Sequence, residues 1–299
     1  MPKLQYKEIS FQPKSLRLIE LVNQVVGEYD EQGYELTLRQ VYYQLVARGY
    51  IPNNERSYKN LGNLINDGRL AGLIDWRSIV DRTRNIKRNG HWDNPQDIIE
   101  SAKYSYHLDR WADQPNYVEV WVEKDALIGI VSQICSKLDV PHFSCRGYTS
   151  QSEMWSAAQR FRNQFYRERR VIIHLGDHDP SGIDMTRDIQ ERLLLFGADV
   201  EVRRIALTME QIEMFNPPPN PAKLSDARAS GYIHRYGNES WELDALEPKI
   251  ISSLIKSEVT ALMDEELFAE CVDKENADKS HIQLICDNYE DVIRNLIGE

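Results

Sequence analysis

Across residues 117–206 four short runs rich in apolar and β-branched residues, VEVWV, PHFSC, VIIHLG and VEVRRIA, are separated by stretches of helical period. Helices are expected through Leu138, through Arg169 and from Ser181 onward. Apolar strands bracketed by helices demand right-handed crossovers, which leaves an α/β fold with a parallel sheet as the only economical solution. Such sheets collect their ligands at the carboxyl ends of the strands. Glu123 directly follows VEVWV, and the triplet Asp177-His178-Asp179 directly follows VIIHLG. If the chain stays extended through the triplet, the two-residue period of a strand turns Asp177 and Asp179 to the same side, so three carboxylates converge. Carboxylates crowded in a partly desolvated cleft raise one another's pKa or share a cation, and a hard divalent ion such as Mg²⁺, with Mn²⁺ as its substitute, is the natural partner. Each residue also has a plainer reading. Asp179 ahead of Pro180-Ser181-Gly182 has the pattern of a helix N-cap, and Glu123 beside Lys124 that of a surface ion pair. Asp184 suits the helix dipole, and His174 and His178 lack metal-ligand spacing.

Ahead of this region the period is helical. Leu18, Val22, Val25, Val26 and Tyr29 form an apolar stripe over residues 13–30; a second helix follows Thr37 as LRQVYYQLVAR and stops at Gly49; a third covers residues 55–70 with Tyr58, Leu61, Leu64 and Ile65 inward. Three short helices followed by LIDWRSIVDRTRNIKR resemble a winged-helix module, which sets its last helix against DNA. Two domains are therefore expected: an all-α, winged-helix unit over residues 1–100, and a unit over residues 115–299 whose core is 117–206. Past that core, four prolines among residues 216–221 cannot continue a helix or a central strand, and acidic amphipathic helices are expected at 247–262 and 282–297.

The net charge of -11 argues at first against a polyphosphate partner. The sum hides an asymmetry, because residues 239–299 hold 16 acidic and 5 basic residues while residues 1–238 balance at 31 of each sign. Within the balanced part, residues 37–92 carry 10 basic and 4 acidic residues, a local face suited to DNA phosphates. Lys59, Arg69, Arg82, Arg84, Lys87 and Arg88 are the candidate phosphate contacts. No apolar run reaches membrane-spanning length and MPKLQYKEIS has no apolar signal core, so a cytoplasmic or nucleoid-associated protein is expected. Cys135, Cys145, Cys271 and Cys286 are too scattered for a zinc site or a disulfide framework and are expected as small core residues.

VWVEKDAL followed by HLGDHDPSGID, with CRGYTSQS between them, resembles the Toprim domain of topoisomerases, primases and several nucleases. That resemblance implies a Rossmann-like sheet and Mg²⁺ on Glu123, Asp177 and Asp179. On the second helix Tyr42 belongs to the apolar stripe, whereas Tyr43 is turned about a hundred degrees away, one turn from Arg39, on a face expected to be polar and uncluttered. LTLRQVYYQLV resembles the nucleophile helix of the topoisomerase VI A subunit and of the related meiotic double-strand-break enzyme, in which a winged helix precedes Toprim as here. Gln40 stands where that motif has an acidic residue. The resemblance spans residues 13–206 and implies Tyr43 as nucleophile, Arg39 as its helper, a 5′-phosphotyrosyl intermediate on double-stranded DNA, and a homodimer in which one subunit's tyrosine meets the other's metal. No Gly-rich ATPase motif is present, so strand passage would require a separate ATPase subunit. Two other classes remain: a hydrolytic Toprim nuclease of a phage, mobile element or defence system, in which metal-activated water attacks and Tyr43 only packs, and a noncatalytic DNA-binding protein that keeps the fold.

Overall fold

Pro13, whose fixed φ suits a first helical turn, opens helix α1 (Pro13–Asp30), and its stripe buries Ile19, Val22, Val25, Val26 and Tyr29. Thr37 starts α2 (Leu38–Ala47) through a capping box: its side chain accepts the Gln40 backbone N–H, and its own N–H donates to Gln40 Oε1 at 2.8 Å. Asn54 caps α3 (Glu55–Leu70), whose Leu61 and Ile65 complete a core with α1 and α2, with Tyr58 and Leu64 packed at its edge. Leu36 and Ile79 pair as an isolated parallel bridge beside these helices. The computed structural model describes residues 3–80, 89–223 and 226–297. A further helix, α4 (Pro95–Ser105), capped by Asn94, was not anticipated from the sequence.

The sheet follows as β1 (Asn116–Val122), α5 (Ile128–Leu138), β2 (His142–Ser144), α6 (Gln151–Asn163), β3 (Arg169–Leu175), α7 (Pro180–Leu195) and β4 (Glu201–Ala206). All four strands are parallel in the order β2-β1-β3-β4, so the α/β expectation for residues 117–206 holds. Helix α6 ends at Asn163, short of the expected Arg169, because Arg169 is already laddered against Asn116. Val118, Val120, Val122, Val171, Ile173 and Leu175 face one apolar layer, while Trp121 and Ile172 face the other with Met185 and Ile189 of α7. Val122 pairs with Leu175, so the chain leaves β1 and β3 side by side and Glu123 comes out next to Asp177.

Beyond β4 come α8 (Met209–Phe215), β5 (Asn220–Pro221), α9 (Ala229–Tyr236) and β6 (Glu239–Ser240). The proline-rich stretch is thus not only a break: its last two residues pair antiparallel with β6, a two-residue ribbon that tolerates a proline. Helix α10 (Pro248–Thr260) is amphipathic as expected and buries Ile251, Ile255 and Val259 against the sheet, but with Lys249 and Lys256 against Glu258 it is not the acidic helix expected. The single helix expected over 282–297 is instead the end of a long α11 (Glu265–Asp287) and a short α12 (Tyr289–Ile297), divided at Asn288. Cys135, Cys145 and Cys286 are buried free thiols and Cys271 is half-buried. No described helix is long and apolar enough to cross a membrane.

Candidate active site

Glu123, Asp177 and Asp179 all stand at the carboxyl edge of the sheet, but each takes a different partner and the three side chains are not gathered as expected. The Asp177 backbone N–H donates to Glu123 Oε2 at 2.9 Å, which locks the two strand ends together. Asp177 Oδ1 accepts the Leu243 N–H at 2.8 Å, and its Oδ2 is held by Lys124 Nζ at 2.7 Å. Lys124 therefore does not form the expected surface pair with Glu123; it turns inward to Asp177, to Glu242 and to Asp244 Oδ1 at 3.3 Å. Asp179 caps α7, its Oδ1 accepting the Gly182 N–H at 2.6 Å and the Ser181 hydroxyl at 3.1 Å. The plainer reading of Asp179 is thus realised, while its other oxygen takes no hydrogen bond among the described residues; the same is true of Glu123 Oε1.

Burial pushes Glu123 above the usual carboxylate range, against the pull of the Asp177 N–H and Lys124, and the charge of Asp179 adds to the rise. Asp177 is raised for the same reason, with Lys124 opposing and Glu123, Glu242 and Asp244 adding. Burial alone would lower the Lys124 ammonium, yet Asp244, Asp177 and Glu242 outweigh it and hold the cation well above its ordinary value. Five carboxylates (Glu123, Asp177, Asp179, Glu242, Asp244) face three cations (Arg39, Lys124, Arg204), so full ionisation leaves two negative charges uncompensated. Hard oxygen donors with that deficit suit a divalent cation. Among the described residues no three His, Cys, Asp or Glu side chains are gathered as a metal-holding group, and Asp177 is engaged by Lys124.

Helix α2 approaches this edge through its polar side. Arg39 Nε contacts Asp244 Oδ2 at 2.7 Å and its Nη2 binds Glu242. An open cavity of about 420 Å³ is walled by Arg39, Tyr43, Asp179, Asn220, Trp241 and Glu242, among others, so the tyrosine helix and one strand-end acid face the same space within one chain. Tyr42 lies in the core with its hydroxyl donating to Asn53 Oδ1 at 2.9 Å. Tyr43 departs from the expectation of an uncluttered face: it is only 5% exposed, because the turn Leu243–Ala245 closes over α2 and Ala245 joins the same core. The guanidinium of Arg39 stands 5.7 Å from its ring centroid. Burial pushes the Tyr43 phenol up to about 12, Glu242 and Asp244 add to this, and Arg39 opposes it.

Of the candidate phosphate contacts, Lys59 is exposed and paired with Glu55 one turn away. Arg69 is turned inward, donating to the Ile79 and Trp76 carbonyls at 2.5 and 3.2 Å and stacking on Trp76. Arg82, Arg84, Lys87 and Arg88 lie outside the described residues. Burial holds His174 down to about 3 and His178 down to about 4, which favours the neutral imidazole in both; His178 Nδ1 is 2.7 Å from the Tyr232 hydroxyl. Four residues of the site had not been singled out: Lys124 as an inward cation, Glu242, Asp244 and Arg204. Only Lys124 had a local cue, its place beside Glu123. Compared with models of protein families, with curated proteins and with solved structures, the chain matches none.

Proposed function

We propose that the chain cleaves double-stranded DNA by tyrosine transesterification, with a winged-helix unit and a Toprim-type unit as its sequence suggests. The observation that carries this reading is the shared cavity, where Tyr43 and Arg39 of α2 meet Asp179 from the turn after β3. Attack by the Tyr43 oxygen forms a P–O bond and breaks the P–O3′ bond; the 3′ oxygen receives the proton that the phenol gives up, and the 5′ phosphate stays on the tyrosine. Burial, Glu242 and Asp244 hold the phenol up to about 12 even with Arg39 opposing them, so the role assigned to Arg39 is to stabilise the negative charge that develops on the attacking oxygen and on the phosphate. Glu123, Asp179 and Asp177 would hold Mg²⁺ or Mn²⁺, whose contribution is to polarise phosphate oxygens. The resemblance pairs one subunit's tyrosine with the other subunit's metal across a homodimer; here Tyr43 and Asp179 line one cavity within a single chain, so cleavage within each subunit is the alternative arrangement of such a dimer. Strand passage would still call for a separate ATPase subunit.

The test is covalent capture: supercoiled plasmid is incubated with the protein and Mg²⁺ or Mn²⁺, stopped with denaturant, and examined for DNA bound to protein in wild type, Tyr43→Phe and Asp177→Ala. The expected result is an adduct in wild type alone. A second reading, hydrolysis by metal-activated water, draws on the near-complete burial of Tyr43 and the double engagement of Arg39. Cleavage that survives Tyr43→Phe, leaves free ends and disappears in Asp177→Ala would establish it in place of the first.

A further inference from the structure

Glu242 does something that strand cleavage does not require. Its Oε2 lies between two cations from opposite halves of the fold, Arg39 Nη2 from α2 and Lys124 Nζ from the end of β1. Behind it the wholly buried Asp244 fixes Arg39 Nε at 2.7 Å and Lys124 Nζ at 3.3 Å, and Asp177 Oδ2 holds Lys124 at 2.7 Å. The two cations are thus seated without Glu242. Of the three carboxylates, Glu242 alone lies on the cavity wall, and its side chain keeps 21% exposure against 0% for Asp244 and 7% for Asp177.

One anionic oxygen clasped by a guanidinium and an ammonium is how proteins hold a phosphate oxygen. We propose that Arg39, on the cavity wall, and Lys124, which stands behind Glu242 and off that wall, form a phosphate-binding subsite at the cavity's edge, and that the Glu242 carboxylate fills it as an internal stand-in until a phosphodiester or a free phosphate anion displaces it. Only a side chain has to move. On one side of Glu242, Trp241 is paired in both directions with His178 at 2.8 and 2.9 Å; on the other, the Leu243 N–H is fixed on Asp177 at 2.8 Å. Between the two cations one anionic oxygen replaces another when the ligand is a phosphodiester, while the displaced Glu242 keeps its own charge beside the cavity and so opposes the ligand. At about 420 Å³ the cavity has room for such a group. The choice of phosphodiester as the natural ligand rests on the DNA-cleavage reading; the subsite itself does not.

The test is a binding titration with a metal chelator present, so that neither cleavage nor metal contributes, using pyrophosphate and a short fluorescein-labelled duplex. Glu242→Gln removes the competing charge at constant shape and is expected to tighten both ligands by about tenfold, the gain when an occluding state populated nine times in ten is abolished. Glu242→Asp, which keeps the charge but draws it back by one methylene, gives a smaller gain of the same sign and guards against a misfolded Gln variant. Adding Arg39→Gln to Glu242→Gln should cancel the gain. Tighter pyrophosphate with an unaltered duplex would uphold the subsite and count against DNA as its ligand. Unchanged or weaker binding of both ligands in folded variants, or a gain that survives Arg39→Gln, would overturn the proposal.

Discussion

Arg204 shows how much a single side chain organises. Its guanidinium, brought under the site by β4, donates to the carbonyls of Gly176, Asp177 and Gly182 at 2.9, 2.5 and 2.9 Å and to the Thr186 hydroxyl at 3.1 Å. It binds the backbone that carries the acids rather than the acids themselves. Arg204→Met would strand these carbonyls and is expected to cost about 3 kcal/mol in urea unfolding, with Arg204→Lys recovering little because a point charge cannot span the same acceptors. Gly182 matters for the opposite reason, its lack of a side chain: a Cβ there would lie 2.3 Å from the Asp177 carbonyl oxygen and 3.1 Å from Glu123 Oε2. Gly182→Ala should destabilise by about 2 kcal/mol and weaken any function of the site. Gly27, inside α1 with nothing within 4 Å of an added Cβ, should gain about 0.5–1 kcal/mol as alanine, and the two melting curves side by side check both expectations.

At the level of elements, one of the ties that hold α11 is a buried acid, beside others such as the Tyr106 hydroxyl on Asp278 and Gln96 on the Cys286 carbonyl. Glu275 accepts the Leu108 N–H at 3.1 Å and pairs with Arg110 at 3.2 Å and Lys279 at 2.6 Å. Burial works to raise its carboxyl, but Lys279, the Leu108 N–H and Arg110 prevail and hold it down at about 2, below its ordinary 4.5. A carboxyl depressed on folding stabilises the fold above its unfolded pKa and loses that contribution as pH falls from about 4.5 toward 2. Glu275→Gln should therefore cost about 2 kcal/mol near neutrality and flatten the stability profile below pH 4.5, as read from urea midpoints across that range. Elements of this sort are poorly legible in sequence. The periods of α1, α2 and α3 and the four β runs are local and announce themselves, as does the Thr37 cap. The apolar residues of α11 form no regular stripe, and the buried role of Glu275 depends on Leu108 and Arg110, more than 160 residues earlier.

Across the whole molecule, two apolar cores meet at an ionic seam. Ala245 packs in the core of α1, α2 and α3, Leu243 and Leu246 pack under the sheet, and Arg39, Lys124, Glu242 and Asp244 join the halves between them. Asp244→Ala leaves the largely buried Lys124 and the half-exposed Arg39 short of a partner; we expect a loss of about 3 kcal/mol and separate unfolding transitions for helix content and for tryptophan fluorescence, where the wild type gives one. The seam is also where sequence reasoning stopped. Strand-end acids and the tyrosine can be placed from neighbours and period, but a contact between residues 124 and 242 leaves no local trace. The order of these parts along the chain has a temporal side. A ribosome making this protein releases Tyr43, Glu123, Asp177 and Asp179 well before the stretch 239–246, whose Leu243 anchors Asp177 and whose Glu242 clasps Arg39 and Lys124, so a nascent chain holds every proposed cutting group before the frame that aligns them has emerged.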